Sequence, residues 1–359
     1  MLMRAAPVLL VSVIAFAAIE GAVFHTEVYP WILNPDASTG YVETILRMEH
    51  ERPKAGPQVL GIGDSRMLLL PRLSNEHTAE TRYTFGTIAT AGASPRSWYY
   101  LLRDADPTAR LYRAIVIAVE SYDDAERWND ENDNNEDLSY LIDRLRLSDW
   151  WEFSRSYHDP DRQWKAARGI LLKGLVYKRD FQDLLLHPVS RARYAKLNRR
   201  DAFSWNYGYN GPPDTLTDFH VDWQARTLTA PPNADPGLVH NLKFRLLDAL
   251  PTETGNESRY LKYWLGKIYE HYRGSPTRLI FLRLPRGGFV RPDQPRYNPH
   301  SSVRDLAMEP NVTLIDEHFF DSLEKPEFFR DEMHLNGPGM VPFSLMITQE
   351  VSRILGPPR

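Results

Sequence analysis

Six consecutive residues, Ala114-Ile115-Val116-Ile117-Ala118-Val119, carry no polar side chain. A strand with one wet face alternates apolar and polar positions; a strand apolar on both faces is expected where helices cover both sides of a parallel sheet. A second, shorter run of this kind, Val59-Leu60-Gly61-Ile62, precedes it, and Tyr83–Thr90 is a β-rich candidate between the two. Helical segments separate them: one from about Pro95 to Arg103, where proline suits a first turn. After residue 255 the alternation resumes. A helix is predicted over Glu257–Tyr272, a strand over Arg278–Leu284, a helix from about Ser301, a strand over Val312–Ile315 and a closing helix over Pro338–Ile354. Tyr260, Trp264, Ile268 and Tyr272 recur at four-residue spacing and are expected to pack on the sheet. The fold class this predicts is α/β, a doubly wound parallel sheet of about five strands in a three-layer sandwich.

The alternation is interrupted between residues 121 and 255, which read as a long insertion after the third strand. Asp123 to Asp137 is dense in acid and asparagine and reads as a solvated loop. Leu138–Trp151 and Gln163–Leu186 read as helices, and Trp205 to Asp235 as irregular or hairpin-like. Between Arg162 and Arg200 basic residues outnumber acidic ones, Arg168, Lys173, Lys178, Arg179, Arg191, Arg193 and Lys196 among them. That excess reads as a solvated surface, a patch facing anionic lipid headgroups, or a groove for a polyanionic glycan.

The other departure is at the N-terminus. After Arg4 the stretch Ala5 to Ile19 is mostly apolar, and continuing through Glu20 to Phe24 brings it to spanning length. Glu20 is expected near the outer boundary within reach of water, and Tyr29 and Trp31 at interfacial positions. The rival is a signal peptide cleaved after Ala15-Phe16-Ala17, giving a secreted protein. Either way the remainder is exported, to the periplasmic side of a bacterial cell membrane if the segment stays as an anchor. The domains predicted are thus an anchor or signal peptide over 1–24, a juxtamembrane connector over 25–57, and an α/β domain over 58–356 containing the insertion 121–255. The 359-residue chain has no cysteine, which removes disulfides, thiol nucleophiles and thiolate metal sites. A net charge of −4 gives no reason to expect nucleic acid. No metal motif, P-loop or dinucleotide fingerprint is present, so neither metal nor cofactor is expected.

Two short motifs carry chemistry. Gly63-Asp64-Ser65 closes the first strand, at the carboxyl edge where α/β sheets gather functional groups. Asp331-Glu332-Met333-His334 lies just before the closing helix. A serine hydroxyl is a poor nucleophile until a neighbouring base takes its proton. The Asp331–His334 spacing lets a carboxylate accept from Nδ1–H while Nε2 faces Ser65.

On Gly61-Ile62-Gly63-Asp64-Ser65 and Asp331-Glu332-Met333-His334-Leu335-Asn336, the chain resembles the SGNH (GDSL-like) hydrolase superfamily. The resemblance covers about 58–120 and 256–356, not the insertion. It implies Ser65 as nucleophile, and Asp331 and His334 completing a catalytic triad. It also implies an oxyanion hole from the backbone N–H of Ser65 and of Gly92. The family's Gly-x-Asn-Asp after the third strand is replaced by Glu120-Ser121-Tyr122-Asp123, so its asparagine oxyanion donor is missing; Ser121 or another N–H is a candidate substitute. The anchor, the Ser65-Arg66-Met67 continuation and the large insertion look like the membrane-bound DltD-like and alginate O-acetyltransferase-like branch. That likeness implies an O-acyltransferase, O-acetyl by expectation, acting on a cell-surface or exported polysaccharide. The partners expected are an acyl donor, a glycan acceptor, the membrane and a membrane-bound acyl-transfer protein. A carbohydrate esterase or deacetylase using the same triad is the alternative, and a non-catalytic subunit of an acyl-transfer complex a third reading. Arg66 is read as binding a substrate anion or pairing with a core carboxylate, and Arg286, at the same sheet edge, as a substrate contact.

Overall fold

The structure, a computed structural model, describes residues 2–26, 28–34, 38–52, 56–68, 70, 82–124, 135–193, 215–248, 255–292 and 297–357. The chain forms two compact units, one of residues 52–129 and 206–359, the other of residues 1–51 and 130–205. The expected insertion is therefore divided: residues 130–205 join the N-terminal segment, and residues 121–129 and those from 206 onward belong with the sheet.

The fold of the sheet unit is α/β. Strands β1 (Gln58–Ile62), β2 (Thr84–Thr87) and β3 (Ala114–Val119) are followed by a hairpin of β4 (His220–Asp222) and β5 (Thr227–Thr229), then β6 (Arg278–Arg283) and β7 (Val312–Leu314). Five strands form one sheet in the order β2-β1-β3-β6-β7, with every pairing parallel. The runs Val59–Ile62 and Ala114–Val119 are fully buried, as strands apolar on both faces should be. The chain enters at β1, steps to β2 on one side and crosses back to β3 on the other. The carboxyl ends of β1 and β3 therefore flank the point where the winding reverses, the place where such sheets open a crevice.

Tyr122, just past β3, fastens this edge. Its hydroxyl lies 3.1 Å from the Phe281 carbonyl and 2.9 Å from that of Ile315, so one side chain ties the exits of β6 and β7. Burial pushes its phenol well above the ordinary range. The aromatic stripe of the helix Gly255–Tyr272 is buried, and what it meets includes a second helix, Pro95–Ala105: Trp264 packs on Tyr99 and Tyr100, and the Tyr260 hydroxyl donates to Ser94 Oγ. The second strand is shorter than Tyr83–Thr90, although Ile88 and Thr90 N–H still reach the Gly61 and Gly63 carbonyls. The hairpin expected in 205–235 is β4–β5; its first residues, 205–214, lie outside the described residues, as do Lys196 and 125–134 of the acidic segment.

The other unit is helical. Its N-terminal helix, Leu2–Phe24, contains Pro7–Phe24, long and apolar enough to serve as a membrane anchor or signal sequence. Residues 25–57 are more than a connector. The helix Ser38–Glu51 buries Val42, Ile45 and Leu46, Thr39 bonds the Ser139 carbonyl, and Glu43 pairs with both Arg47 and Arg144. Two sequence expectations are corrected here. Glu20 does not reach water: it is buried and its Oε1 accepts from the Gly174 N–H at 3.0 Å. Tyr29 is not interfacial either; it is buried against Phe24 and Tyr177 and donates to Asp180 at 2.6 Å, while Trp31 is exposed. The two long helices expected here are broken. Helices Asn135–Leu141 and Trp150–Arg155 replace the first. Helices Pro160–Leu171, Lys173–Val176 and Lys178–Leu186 replace the second, with Leu172 at φ −128°, ψ 75° interrupting it.

Candidate active site

Strand β1 ends at Ile62 and hands the chain to Gly63, whose φ of 157° and crowding fit glycine alone: a Cβ there would sit 3.0 Å from Ala118 Cβ and 3.1 Å from Met67 Cγ. β1 and β3 can then approach at their exits. Asp64 follows as the cap of a short 3₁₀ turn, Ser65–Met67, accepting from the Arg66 N–H at 2.9 Å. The same carboxylate receives the Arg66 guanidinium, Nε to Oδ2 at 3.0 Å and Nη2 to Oδ2 at 2.6 Å. Both groups are buried. Burial alone would raise the Asp64 pKa, but the charge and hydrogen bonds of Arg66 outweigh it and hold the carboxyl below its ordinary range. Of the two roles read for Arg66, the structure shows the pairing with a core carboxylate. Its effect is to brace both neighbours of Ser65.

Asp331 and His334 come from a closed loop before the C-terminal helix Gly337–Leu355. A bridge pairs Phe329 with Leu335, and the Arg330 N–H donates to the His334 carbonyl. Asn336 caps the helix, its Oδ1 accepting from Gly339 N–H at 3.0 Å while its Nδ2 donates to the Glu327 carbonyl. Gly339 is required here because a Cβ would stand 2.5 Å from the Phe328 carbonyl. The helix start is thus pressed directly onto the loop that carries His334.

The two motifs, 269 residues apart in the chain, meet: Ser65 Oγ lies 2.7 Å from His334 Nε2. His334 Nδ1 lies 2.9 Å from Asp331 Oδ2 and 3.0 Å from Oδ1. Asp331 Oδ1 also accepts the backbone N–H of His334 at 2.7 Å and of Met333 at 3.0 Å. With Asp331 an acceptor, the Nδ1 proton belongs on the histidine, leaving the Nε2 lone pair toward Ser65. Burial pushes the Asp331 pKa up, but the His334 hydrogen bond and charge, with the two N–H donors, bring it below the usual carboxylate range. The acid that orients the histidine therefore stays ionised. Neither the profile of any known protein family nor any curated protein matches this chain.

The remaining residues fall around this core unequally. Gly92 stands in the turn after β2 with φ 66°, and its N–H, like that of Ser65, donates to no acceptor among the described residues. Ser121 Oγ accepts from the Asp123 N–H at 3.0 Å and makes no hydrogen bond to Ser65 or His334. The segment around it is structural: Glu120 pairs with Arg245, Asp123 with Arg304 and the Asn298 N–H, and Asp124 with Ser302 and Ser258. Arg286 is held by Glu324, its Nε 2.9 Å from Oε2, and by Asp321 at 3.0 Å. Burial tends to lower the Arg286 pKa, and the Glu324 hydrogen bond and charge more than reverse it. Its loop abuts the one bearing Asp331 and His334, since a Cβ on Gly287 would stand 2.8 Å from the Glu332 carbonyl. Arg283 shares the same carboxylates. Asp64–Arg66 and Glu120–Arg245 had no sequence signal as pairs. Charges two apart do not face each other on a helix, the first pair sits in a turn past the strand, and a partner 125 positions away leaves no local pattern.

Proposed function

We propose that the chain is a membrane-anchored, extracytoplasmic SGNH-type O-acyltransferase that transfers an acyl group, acetyl in the first instance, to a hydroxyl of an exported or surface polysaccharide. The observation that carries this reading is the unbroken relay Ser65–His334–Asp331 at the carboxyl edge of a parallel sheet. Its supports are the strand order, with the serine after β1, glycine after β2 and the acid–base pair before the last helix, and an N-terminal helix suited to anchoring.

In this mechanism Ser65 Oγ attacks the donor's acyl carbonyl as His334 Nε2 takes its proton. The Ser65 and Gly92 N–H groups bear the oxyanion. Collapse of the tetrahedral intermediate breaks the bond to the leaving group, which departs with the proton from His334, and leaves an ester on Ser65. The acceptor hydroxyl then gives its proton to His334 and attacks that ester; the new ester leaves and Ser65 recovers the proton. Asp331 stays ionised throughout and stabilises the imidazolium. Water in place of the sugar hydroxyl makes the same site an esterase. One observation favours a non-catalytic subunit instead: residues 120–124 are occupied by structural pairs where the family places an oxyanion donor.

The test is to treat the folded protein with a fluorophosphonate and locate the adduct, then follow acyl release to water against transfer to oligosaccharide hydroxyls. Labelling of Ser65 and acyl transfer to sugar are expected. Absence of an adduct on folded protein refutes the enzyme reading, and efficient hydrolysis without transfer refutes the transferase.

A further inference from the structure

The helical unit carries a face that its own core does not use. Trp164, Leu171, Leu175, Leu185 and Leu186 are all exposed, Trp164 by 66% and Leu186 by 74%. Trp164 and Leu171, seven residues apart on Pro160–Leu171, share a face with Arg168 between them, and Leu175 follows on the next helix past the break at Leu172. Lys165, Lys178 and Arg179 are also exposed on these helices, and Arg193 is exposed just beyond them. Aliphatic and indole groups interleaved with cations are the composition of a surface that rests among lipid headgroups. An acidic polysaccharide would account for the cations but would leave the leucines in water.

The attachment of these helices to the N-terminal helix selects the occupant. Glu20 and Phe24, in the last turn of Leu2–Phe24, meet Gly174: Glu20 takes its N–H, and both crowd the position of a Cβ there. Phe24 also packs on Tyr177 and Phe181. His25 lies 3.3 Å from the Leu171 carbonyl. Gly174 and Phe181, on two successive short helices, thus meet one turn of the apolar helix. These contacts of Lys173–Val176 and Lys178–Leu186 fall on its last turn, while its body, Val8 to Ile19, is exposed. If Leu2–Phe24 spans a bilayer, the side chains flanking its last turn stand at the water boundary. Leu171 and Leu175 are next to that contact, and exposed Trp31 follows the helix by a few residues.

We propose that the exposed face of Pro160–Leu171, Lys173–Val176 and Lys178–Leu186 is a membrane-seating platform, its leucines and Trp164 inserted among anionic phospholipid headgroups beside the end of the N-terminal helix. This rests on the anchor reading of that helix and is independent of the chemistry assigned to Ser65. The platform converts a single-helix tether into a two-point attachment of the helical unit.

The absence of cysteine allows single thiols to be placed at will. L175C and L186C full-length chains, each labelled with an environment-sensitive fluorophore, are reconstituted at one chain per nanodisc. One set of discs contains phosphatidylglycerol and phosphatidylcholine brominated near the top of the acyl chains. V11C serves as the reference for the N-terminal helix. Bromolipid quenching at both 175 and 186, with blue-shifted emission and several-fold protection from aqueous iodide, is the expected result. Quenching at 11 but not at 175 or 186 overturns the platform and leaves the anchor standing; no quenching at any of the three overturns both. Protection from iodide without bromolipid quenching also overturns it, because a protein and not lipid then covers the face. The labelled L186C chain bearing K178E and R179E is expected to lose at least half its bromolipid quenching in the anionic discs. Unchanged quenching there overturns the role of the cations.

Discussion

Replacing Asp331 with asparagine is a sensitive test of the relay because the loop dictates how the amide must sit. In the native site Oδ1 is held by the backbone N–H of His334 at 2.7 Å and of Met333 at 3.0 Å. Those donors demand an oxygen, so the introduced amide keeps its carbonyl there and turns its NH₂ toward His334 Nδ1. Nδ1 must then be an acceptor, and the imidazole proton moves to Nε2, 2.7 Å from Ser65 Oγ. The histidine now donates to the serine when it should take its proton. General-base assistance contributes about 10²–10⁴-fold, and tautomer reversal in serine triads costs about 10⁴. Hence D331N is expected to slow phosphonylation of Ser65 by about 10³–10⁴-fold. The thermal midpoint should change less than in D331A, which leaves both N–H donors without their acceptor. Intact-mass kinetics of fluorophosphonate labelling, with circular-dichroism melts alongside, read both quantities. A D331N chain that labels within about tenfold of the native rate would refute the relay as the source of Ser65 reactivity.

Four further outcomes follow from the same geometry. R66M leaves the buried Asp64 carboxylate without its partner and is expected to destabilise the protein by about 3–5 kcal/mol in urea unfolding, with D64N/R66M recovering part of the loss. Asp64 and Asp331 both have folded pKa values below the ordinary range, so their stabilising contribution is complete above the unfolded value near 4. It is lost as pH falls through the depressed folded values. The urea midpoint should therefore drop between about pH 5 and pH 2, less steeply in D64N/R66M. G339A forces the helix start off the Phe328 carbonyl and should slow Ser65 labelling by about tenfold or more, from displacement of the base loop. Y122F removes the hydroxyl between two carbonyls and should cost about 1–2 kcal/mol without abolishing labelling, measured by the same melts.

What was legible in the sequence was what local pattern determines. Ala114–Val119 is a strand at its expected limits, because an all-apolar β-branched run between turns has few alternatives. The closing helix, with Asn336 before Pro338, matched within a residue at each end. Ser65, His334 and Asp331 were readable as one site because their motifs are short and their strand-end placement follows from the winding. The helical unit was read less well. Good helix formers run through 138–151 and 163–186, yet tertiary contacts break both, one of them at Leu172, and propensity is too weak a force to resist packing. Glu20 looked like a boundary residue because its partner, the Gly174 N–H, is 154 positions away. The same distance problem hid Glu120–Arg245 and the lock made by Tyr122.

The gap of 269 residues between Ser65 and His334 has a consequence for the chain's biogenesis. Synthesis proceeds from the N-terminus, so Ser65 is made long before the loop bearing His334. Until that loop is seated by the final helix, Ser65 is an ordinary alcohol. A fragment ending anywhere before residue 334 displays the serine without its histidine, and only a folded chain that extends past residue 334 carries the relay. Labelling of Ser65, where it occurs, thus reports a chain made and folded through the His334 loop.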